Sequence, residues 1–553
     1  MLNKIKKMHV RGALYSKMHK KAARRPTRAA LALAILRKGD HTKFRVSVNK
    51  SLITLPPRSD IKSSNIIYPL IRPYSYANIK FDAGENSLVY NMLEPRMNDK
   101  EKYIMQKIHE GLIQIIDVSL DDVKHGDKVL TFLEKSVTRL LDEYNFKLTE
   151  QEYIKIMYYI FRDFVGLNRI EPLLSDPYIE DIGCDGLNVP VYVVHQKFGS
   201  IKTNIVYTDA KELRDFVTKL AERCDRYISY AEPLLDGSLP DGARVQASLA
   251  ADVTTRGPTF SIRKFRSEPL SPVDMIRLNT ASPEMLAYLW FLIEHGMNIL
   301  IAGGVSTGKT SLLNGISFFI PPEAKIVSIE DTRELNLPHE NWIPGAARSG
   351  FTGSGVGEVS MYELLRESFR QNPDYLIVGE IRGKEAYVMF QAMASGHPSI
   401  STVHAGSVDD LMKRLQTKPI NLSAGLIESL DLVIIMIHAR EQGKSARRVK
   451  EVVEIEDIDI ASGQPITNKA FVWLPATDSF EYRSNSWLLE RVSTQKGIPM
   501  NTIIKEIAKR KKFLSWMYEN NVTDMKEVGK YMSAYYRNPE KINKLLGGER
   551  TEI

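Results

Sequence analysis

The sequence predicts a multidomain α/β protein centred on a mainly parallel, doubly wound sheet, and three observations carry that expectation. Five mainly apolar runs, at 298–302, 325–329, 375–378, 400–403 and 432–437, are separated by polar or glycine-rich segments. Runs of this length without alternation fit strands covered on both faces, as in parallel sheets. Directly after the first run comes Gly303-Gly-Val-Ser-Thr-Gly308-Lys309-Thr310, followed by a helix-forming stretch at 311–319, the strand–glycine loop–helix order of α/β folds. Finally, 553 residues exceed what one hydrophobic core sustains, so about two to four domains are expected.

Residues 1–50 hold 15 Lys and Arg against a single acid, Asp40, while the rest of the chain holds 60 bases against 66 acids. The net charge of +8 therefore belongs to one end, and the folded body is acidic. No nucleic acid is expected as a partner, since that calls for a basic stripe on the body. A segment rich in Lys, Arg and Ala buries too little apolar area to offset chain entropy, so 1–50 reads as a flexible basic tail. Its charge suits an anionic membrane surface, and its composition also fits a transit peptide. No stretch reaches the ~18–20 apolar residues of a spanning helix; the candidate at 29–36 is far too short. The two cysteines, Cys184 and Cys224, suit a reducing compartment and exclude a four-cysteine zinc site.

Residues 51–175 read as a helical region, in which Thr149-Glu150 precedes Ile154, Met157, Tyr158, Phe161 and Val165 at helical spacing. From 176 to 267 short strands (189–194, 202–207), a helix at Ala210–Arg223 and further turns and strands suggest an N-terminal α/β domain. Residues 268–280, with Pro269 and Pro272, read as a linker, because proline removes donors and stiffens the backbone. Ser282 as N-cap and Pro283 at the first helical position open the next helix, and Gly296 closes it. The sheet then occupies 281–460. Strands at 470–474 and 479–482 and helices near 501–519 and 524–536 form a small C-terminal cap over 461–553.

The loop at 303–310 fits G-x-x-x-x-G-K-[ST]. Gly303, Gly304 and Gly308, with Ser306 and Thr307 between them, let backbone N–H groups turn inward around phosphates, and the helix entered through Ser311 adds its positive end. Lys309 is expected to reach the β- and γ-phosphates of ATP, and the Thr310 hydroxyl to bind Mg²⁺. Asp374-Tyr-Leu-Ile-Val-Gly-Glu380 is an apolar strand ending in an acid; there Glu380 holds the metal's water shell or polarises the attacking water. Glu330-Asp331-Thr-Arg333-Glu334 follows another buried strand, at the ligand crevice of an open sheet, and one of its acids is an alternative general base. His397 and His404 bracket a third strand, where a histidine at the strand end is placed to sense the γ-phosphate.

As a set, these motifs resemble the type II/type IV secretion ATPases. Four boxes stand in that family's order: the loop at 303–310, the acidic box Ile329-Glu330-Asp331-x-x-Glu334, the strand ending Gly379-Glu380-Ile381-Arg382, and the histidine box from Gly396 to Ser407. The run Gly257-Pro258-Thr259-Phe260-Ser261-Ile262-Arg263-Lys264-Phe265 is also similar. Two cysteines cannot supply the four-cysteine insertion of many bacterial members, and Gly383 stands where many of those have Asp. With Trp473-Leu-Pro and Asp478-Ser-Phe-Glu-Tyr482, the chain is most similar to the archaeal branch, which includes the archaellum motor and archaeal pilus ATPases.

The resemblance implies a RecA-like P-loop core and a homo-hexamer that hydrolyses ATP with Mg²⁺. It places the motor in the cytoplasm, peripheral to the membrane and docked on a polytopic membrane platform protein. It further implies nucleotide between the N-terminal α/β domain and the core, with Arg244, Arg256 and Arg263 as candidate arginines completing the site. Two other readings stay open: a nucleic-acid-stimulated translocase, and a non-hydrolysing nucleotide-binding structural subunit. Intact Glu330, Glu334 and Glu380 speak against the second.

Overall fold

The computed structural model describes residues 44–48, 65–116, 126–250, 252–265, 269–348, 357–441, 444–459, 463–483 and 485–547. The chain divides into two compact units, Met1–Phe265 and Arg266–Ile553.

The first unit opens with β1 (Ser47–Val48), β2 (Asn65–Arg72), β3 (Ser75–Asp82) and β4 (Ser87–Leu93). Helices α1 (Asp99–Ile116), α2 (Gly126–Glu143), α3 (Glu150–Ile160) and α4 (Glu171–Ser175) follow. Then come β5 (Ile179–Cys184), β6 (Pro190–His195), β7 (Gly199–Val206), α5 (Ala210–Arg223), β8 (Leu234–Ser238), β9 (Arg244–Ser248) and β10 (Thr259–Arg263). The ten strands form one sheet in the order β1-β2-β3-β4-β7-β6-β5-β10-β9-β8, with β4 and β7 paired in parallel.

Residues 65–93, expected within a helical region, are instead an antiparallel meander. Alternate residues Tyr68 and Leu70, Ala77 and Ile79, Tyr90 and Met92 are buried, the period of two that strands require. Helices occupy Asp99–Ile116, Gly126–Glu143 and Glu150–Ile160. Because the meander, the helices and the later strands share one core, 51–175 and 176–267 are not separate domains. Residues 44–48, assigned to the tail, also belong to it: Phe44 is buried and stacks on Tyr74 at 5.4 Å, and β1 pairs with β2. Residues 1–43 of the tail lie outside the described residues.

The second unit starts with α6 (Pro272–Arg277), inside the segment expected to be a linker. Ser271 caps this helix and exchanges hydrogen bonds with Asp274, and Val273 and Met275 are buried. Pro272 begins a helix because the first helical N–H has no intrahelical partner to lose. The elements that follow are α7 (Pro283–Glu294), β11 (Ile299–Gly303), α8 (Lys309–Ser317), β12 (Ile326–Glu330), β13 (Trp342–Ala346) and α9 (Met361–Ser368). Next come β14 (Tyr375–Val378), α10 (Glu385–Ala394), β15 (Ser399–Val403), α11 (Val408–Gln416), α12 (Ala424–Ile427), β16 (Leu432–Glu441) and β17 (Lys444–Ile458). The unit closes with β18 (Pro465–Leu474), β19 (Ser479–Tyr482), α13 (Trp487–Lys496), α14 (Met500–Glu519), α15 (Met525–Arg537) and α16 (Pro539–Leu546).

The sheet order is β13-β12-β14-β15-β11-β16-β17-β18-β19. Pairings from β13 through β16 are parallel and the remaining three antiparallel. The five apolar runs became β11, β12, β14, β15 and β16, and every residue of the first four is buried. Parallel strands end at one edge, so their carboxyl ends gather the motifs.

The expected separate cap is not separate. Strands β18 and β19 extend the same sheet, and α13–α16 share the core of α7. Fully buried Trp290 stacks on Phe319, meets the Tyr535 ring at 4.5 Å and donates Nε1–H to Tyr536. Glu454, also fully buried, accepts from Tyr288, Ser486, Asn468 and the Trp487 N–H.

Candidate active site

Strand β11 delivers the chain into the glycine loop. A Cβ on Gly303 would stand 2.6 Å from Thr307 Oγ1 and 2.8 Å from the Met436 carbonyl, so only glycine fits. The exposed turn Gly304-Val305-Ser306 follows, with Ser306 at φ 58° and Gly308 at φ 93°, both left-handed. Gly308 is the N-cap of α8, and no side chain caps that end. The first N–H groups of the helix therefore stay available to an anion. Thr310 and Ser311, half-buried, occupy the first turn.

Lys309 is buried, and its ammonium donates to the carbonyls of Gly303 (3.1 Å) and Gly304 (2.9 Å) and to Nδ1 of His404 (3.3 Å). An ammonium only donates, so Nδ1 accepts and the neutral imidazole carries its proton on Nε2. That nitrogen lies 2.8 Å from Glu380 Oε1, and the other Glu380 oxygen accepts from Arg382. Burial holds Lys309 below its ordinary pKa against the pull of Glu380, and burial likewise lowers His404. The spacing is fixed by the strand ends: Thr402 donates to the Gly379 carbonyl (2.7 Å), the Ile381 N–H to the Thr402 carbonyl (3.0 Å), and Arg414 to the His404 carbonyl (2.7 Å). His397 lies at the opposite, amino end of β15 and does not join this cluster.

The acidic turn divides its acids between two tasks. Glu330 is 2% exposed, and its Oε1 accepts the N–H groups of Glu334 (2.8 Å) and Leu335 (3.0 Å). Burial pushes its carboxyl up to about 7, although those N–H bonds oppose the shift. Glu334 is exposed. Asn314, on α8, donates to the Glu334 carbonyl and accepts the Asn336 N–H, so the helix leaving the phosphate loop pins the acidic turn. The sequence reading missed Asn314 and also Arg447, whose Nε donates to the Ser306 carbonyl at 3.1 Å. Neither contact has a local signal, because the partners stand 22 and 141 residues apart.

Arg244, Arg256 and Arg263 belong to the first unit. Arg244 pairs with Asp236 and Arg263 with Asp181, each at 3.0 Å, and the Arg256 carbonyl accepts the Leu187 N–H.

Among the described residues no three His, Cys, Asp or Glu side chains converge as a ready metal centre. The hard oxygens expected to hold a metal are the Thr310 hydroxyl, in the first turn of α8, and the Glu380 carboxylate, beside His404. That set fits Mg²⁺, which takes one or two protein oxygens and completes its shell with water and phosphate.

Residues 170–509 match the family model of the type II/IV secretion system protein. The chain is 35% identical over 517 residues to the uncharacterised protein MJ0900 of Methanocaldococcus jannaschii, across 89% of this chain and 92% of that one. It is 36% identical over 278 residues to the type IV secretion system protein PtlH of Bordetella pertussis, across 44% of this chain and 80% of PtlH. Among solved structures, the VirB11 ATPase of the Brucella suis type IV secretion system aligns at 24% identity, covering 51% of this chain and 92% of its own, with a TM-score of 0.26. The pilus retraction motor PilT with bound ADP aligns at 15% identity, covering 64% and 93%, with a TM-score of 0.37. These superpositions are loose; the sequence match decides the relationship. Because the family match takes in the phosphate loop, the acidic turn, Glu380 and His404 and spans most of the chain, the protein belongs to the type II/type IV secretion ATPase family.

Proposed function

We propose that the chain hydrolyses Mg-ATP as a hexameric motor at the inner face of the membrane, powering an archaellum or a type IV pilus-like filament. The observation that carries the enzymatic part is the continuous line from Lys309 through His404 to Glu380, which joins a phosphate-binding cation to a carboxylate across adjacent strand ends. Bound Mg²⁺ would supply charge neutralisation at the β- and γ-phosphate oxygens. The chain's residues do the rest. Lys309 exchanges its carbonyl and imidazole acceptors for phosphate oxygens, and Thr310 and Glu380 hold the metal's shell. His404 loses its Lys309 partner when phosphate arrives and so reports occupancy to Glu380. Glu330, at the end of β12, or Glu334, in the turn that follows it, orients water. Nucleotide binding and turnover measured on Lys309→Ala and Glu380→Gln test this reading: the first should lose both, the second turnover alone.

The archaeal assignment is supported by the relative in Methanocaldococcus jannaschii that matches 89% of this chain and by the two-cysteine composition. For the motor we propose docking on a polytopic membrane protein, with an arginine of the first unit, Arg244, Arg256 or Arg263, reaching the γ-phosphate of a neighbouring subunit. A guanidinium there stabilises charge spread in phosphoryl transfer. Specific activity should then rise with protein concentration, and Arg263→Ala should bind ATP but turn it over poorly. A dilute, folded monomer with full activity would exclude the shared site.

No helix among the described residues is long and apolar enough to cross a membrane. Attachment is proposed through the basic tail, worth on the order of 1 kcal/mol per Lys or Arg held near an anionic surface. Removing residues 1–43 should leave turnover nearly intact and weaken salt-sensitive binding to anionic liposomes. Equal binding with and without the tail at low and high salt would end this idea, and stimulation by DNA in place of lipid would favour a translocase.

A further inference from the structure

His404, just past β15, and Glu380, just past β14, stand on one side of β11. On its other side β11 pairs with β16, Gly303 against Met436, and β16 runs on past the loop to Glu441 before β17 returns. This overhanging hairpin brings Arg447, opposite His438, against the phosphate loop. Its Nε donates to the Ser306 carbonyl at 3.1 Å. Its stem covers Gly308 so closely that a Cβ there would meet Arg447 Cδ at 3.0 Å.

We infer that Arg447 is a positioning residue for nucleotide binding, setting the shape in which the loop receives phosphate. This rests on the proposed nucleotide site. In a planar trans peptide the C=O and the following N–H point in opposite directions. A guanidinium that fixes the Ser306 carbonyl on the hairpin side therefore turns the Thr307 N–H to the opposite side. Ser306 needs this support, since it is held at φ 58°, a conformation that non-glycine residues adopt only when their surroundings enforce it. A charged donor to a carbonyl is the stronger kind of hydrogen bond, and here it is contributed from 141 residues away in sequence. Arg447 thus acts on the geometry of binding, while His404 and Glu380 act on the opposite flank, where the chemistry is.

The test uses full-length Arg447→Ala and Arg447→Lys. In nucleotide-free protein, amides of 303–308 should exchange with deuterium faster in Arg447→Ala than in wild type, with the unfolding midpoint unchanged. Mg-ADP and Mg-ATP should both bind about 10-fold or more weakly and by a similar factor. KM should rise accordingly while kcat stays within about twofold. Arg447→Lys, which keeps a charged donor, should recover part of the affinity. Unchanged loop exchange, or unchanged affinity for both nucleotides, overturns the inference, as does a fall in kcat at constant affinity. Wild-type protein that binds no nucleotide, with the exchange effect still present, would sink the ATPase reading and leave the role of Arg447 in the loop standing.

Discussion

Lys309→Ala is expected to lose nucleotide affinity and turnover together, whereas Glu380→Gln should bind Mg-ATP normally and lose about 10²-fold or more in turnover. The reason is the division of labour along the strand ends. Removing the ammonium leaves the β- and γ-phosphates without their cation and His404 Nδ1 without its donor. Glutamine keeps the size of Glu380 and an acceptor oxygen for Arg382, turns an amide N–H2 towards the His404 Nε2–H, and removes the negative charge that positions metal and water. A loss of 10²-fold corresponds to roughly 2.7 kcal/mol of transition-state stabilisation. Binding by fluorescent nucleotide and turnover by phosphate release separate the two effects. Wild-type turnover in Glu380→Gln together with none in Glu334→Gln would move the key role to the acidic turn, and normal turnover in both would end the acidic-crevice mechanism. The pH profile distinguishes the remaining acid. With its carboxyl near 7, Glu330 as base would make turnover climb as pH rises through about 7, and Glu330→Gln would abolish that step.

Trp290→Ala is expected to cost the second unit about 3–5 kcal/mol, the range for deleting a fully buried tryptophan. The indole stacks on Phe319, past the end of α8, meets the C-terminal helices through Tyr535 and Tyr536, and lies under the Arg510 guanidinium at 4.9 Å. Arg510, 2% exposed, pairs with Glu294 and Glu506, and deleting the ring beneath it also leaves that buried charge less well covered. Denaturant unfolding of the full chain measures the shift, and proteolysis should show α13–α16 loosening together with the sheet. A loss under about 1 kcal/mol, or C-terminal helices that detach while the sheet keeps its wild-type midpoint, would mean they form a separate layer after all.

The sequence by itself determined whatever is written in contiguous residues. Continuous apolar runs marked the strands β11, β12, β14, β15 and β16, since a strand buried on both faces has no room for polar alternation. The phosphate loop was legible because its glycines are demanded by backbone geometry: Gly303 has no space for a Cβ and Gly308 has a left-handed φ. Ser282 and Pro283 announced α7 for an equally local reason. Where proline has two local meanings, the sequence was ambiguous, and burial of Val273 and Met275 made Pro272 a helix start and not a linker. The meander at 65–93 carries its period of two, yet only a shared core makes it part of the first unit. Tertiary structure alone decided that the C-terminal helices complete the core around Trp290, that Glu330 is buried under its own turn, and that His404 bridges Lys309 and Glu380. It alone brought Arg447 to Ser306. Such contacts depend on which strand ends lie side by side, and strand order is set by burial across the whole sheet, a quantity that no short window of sequence contains.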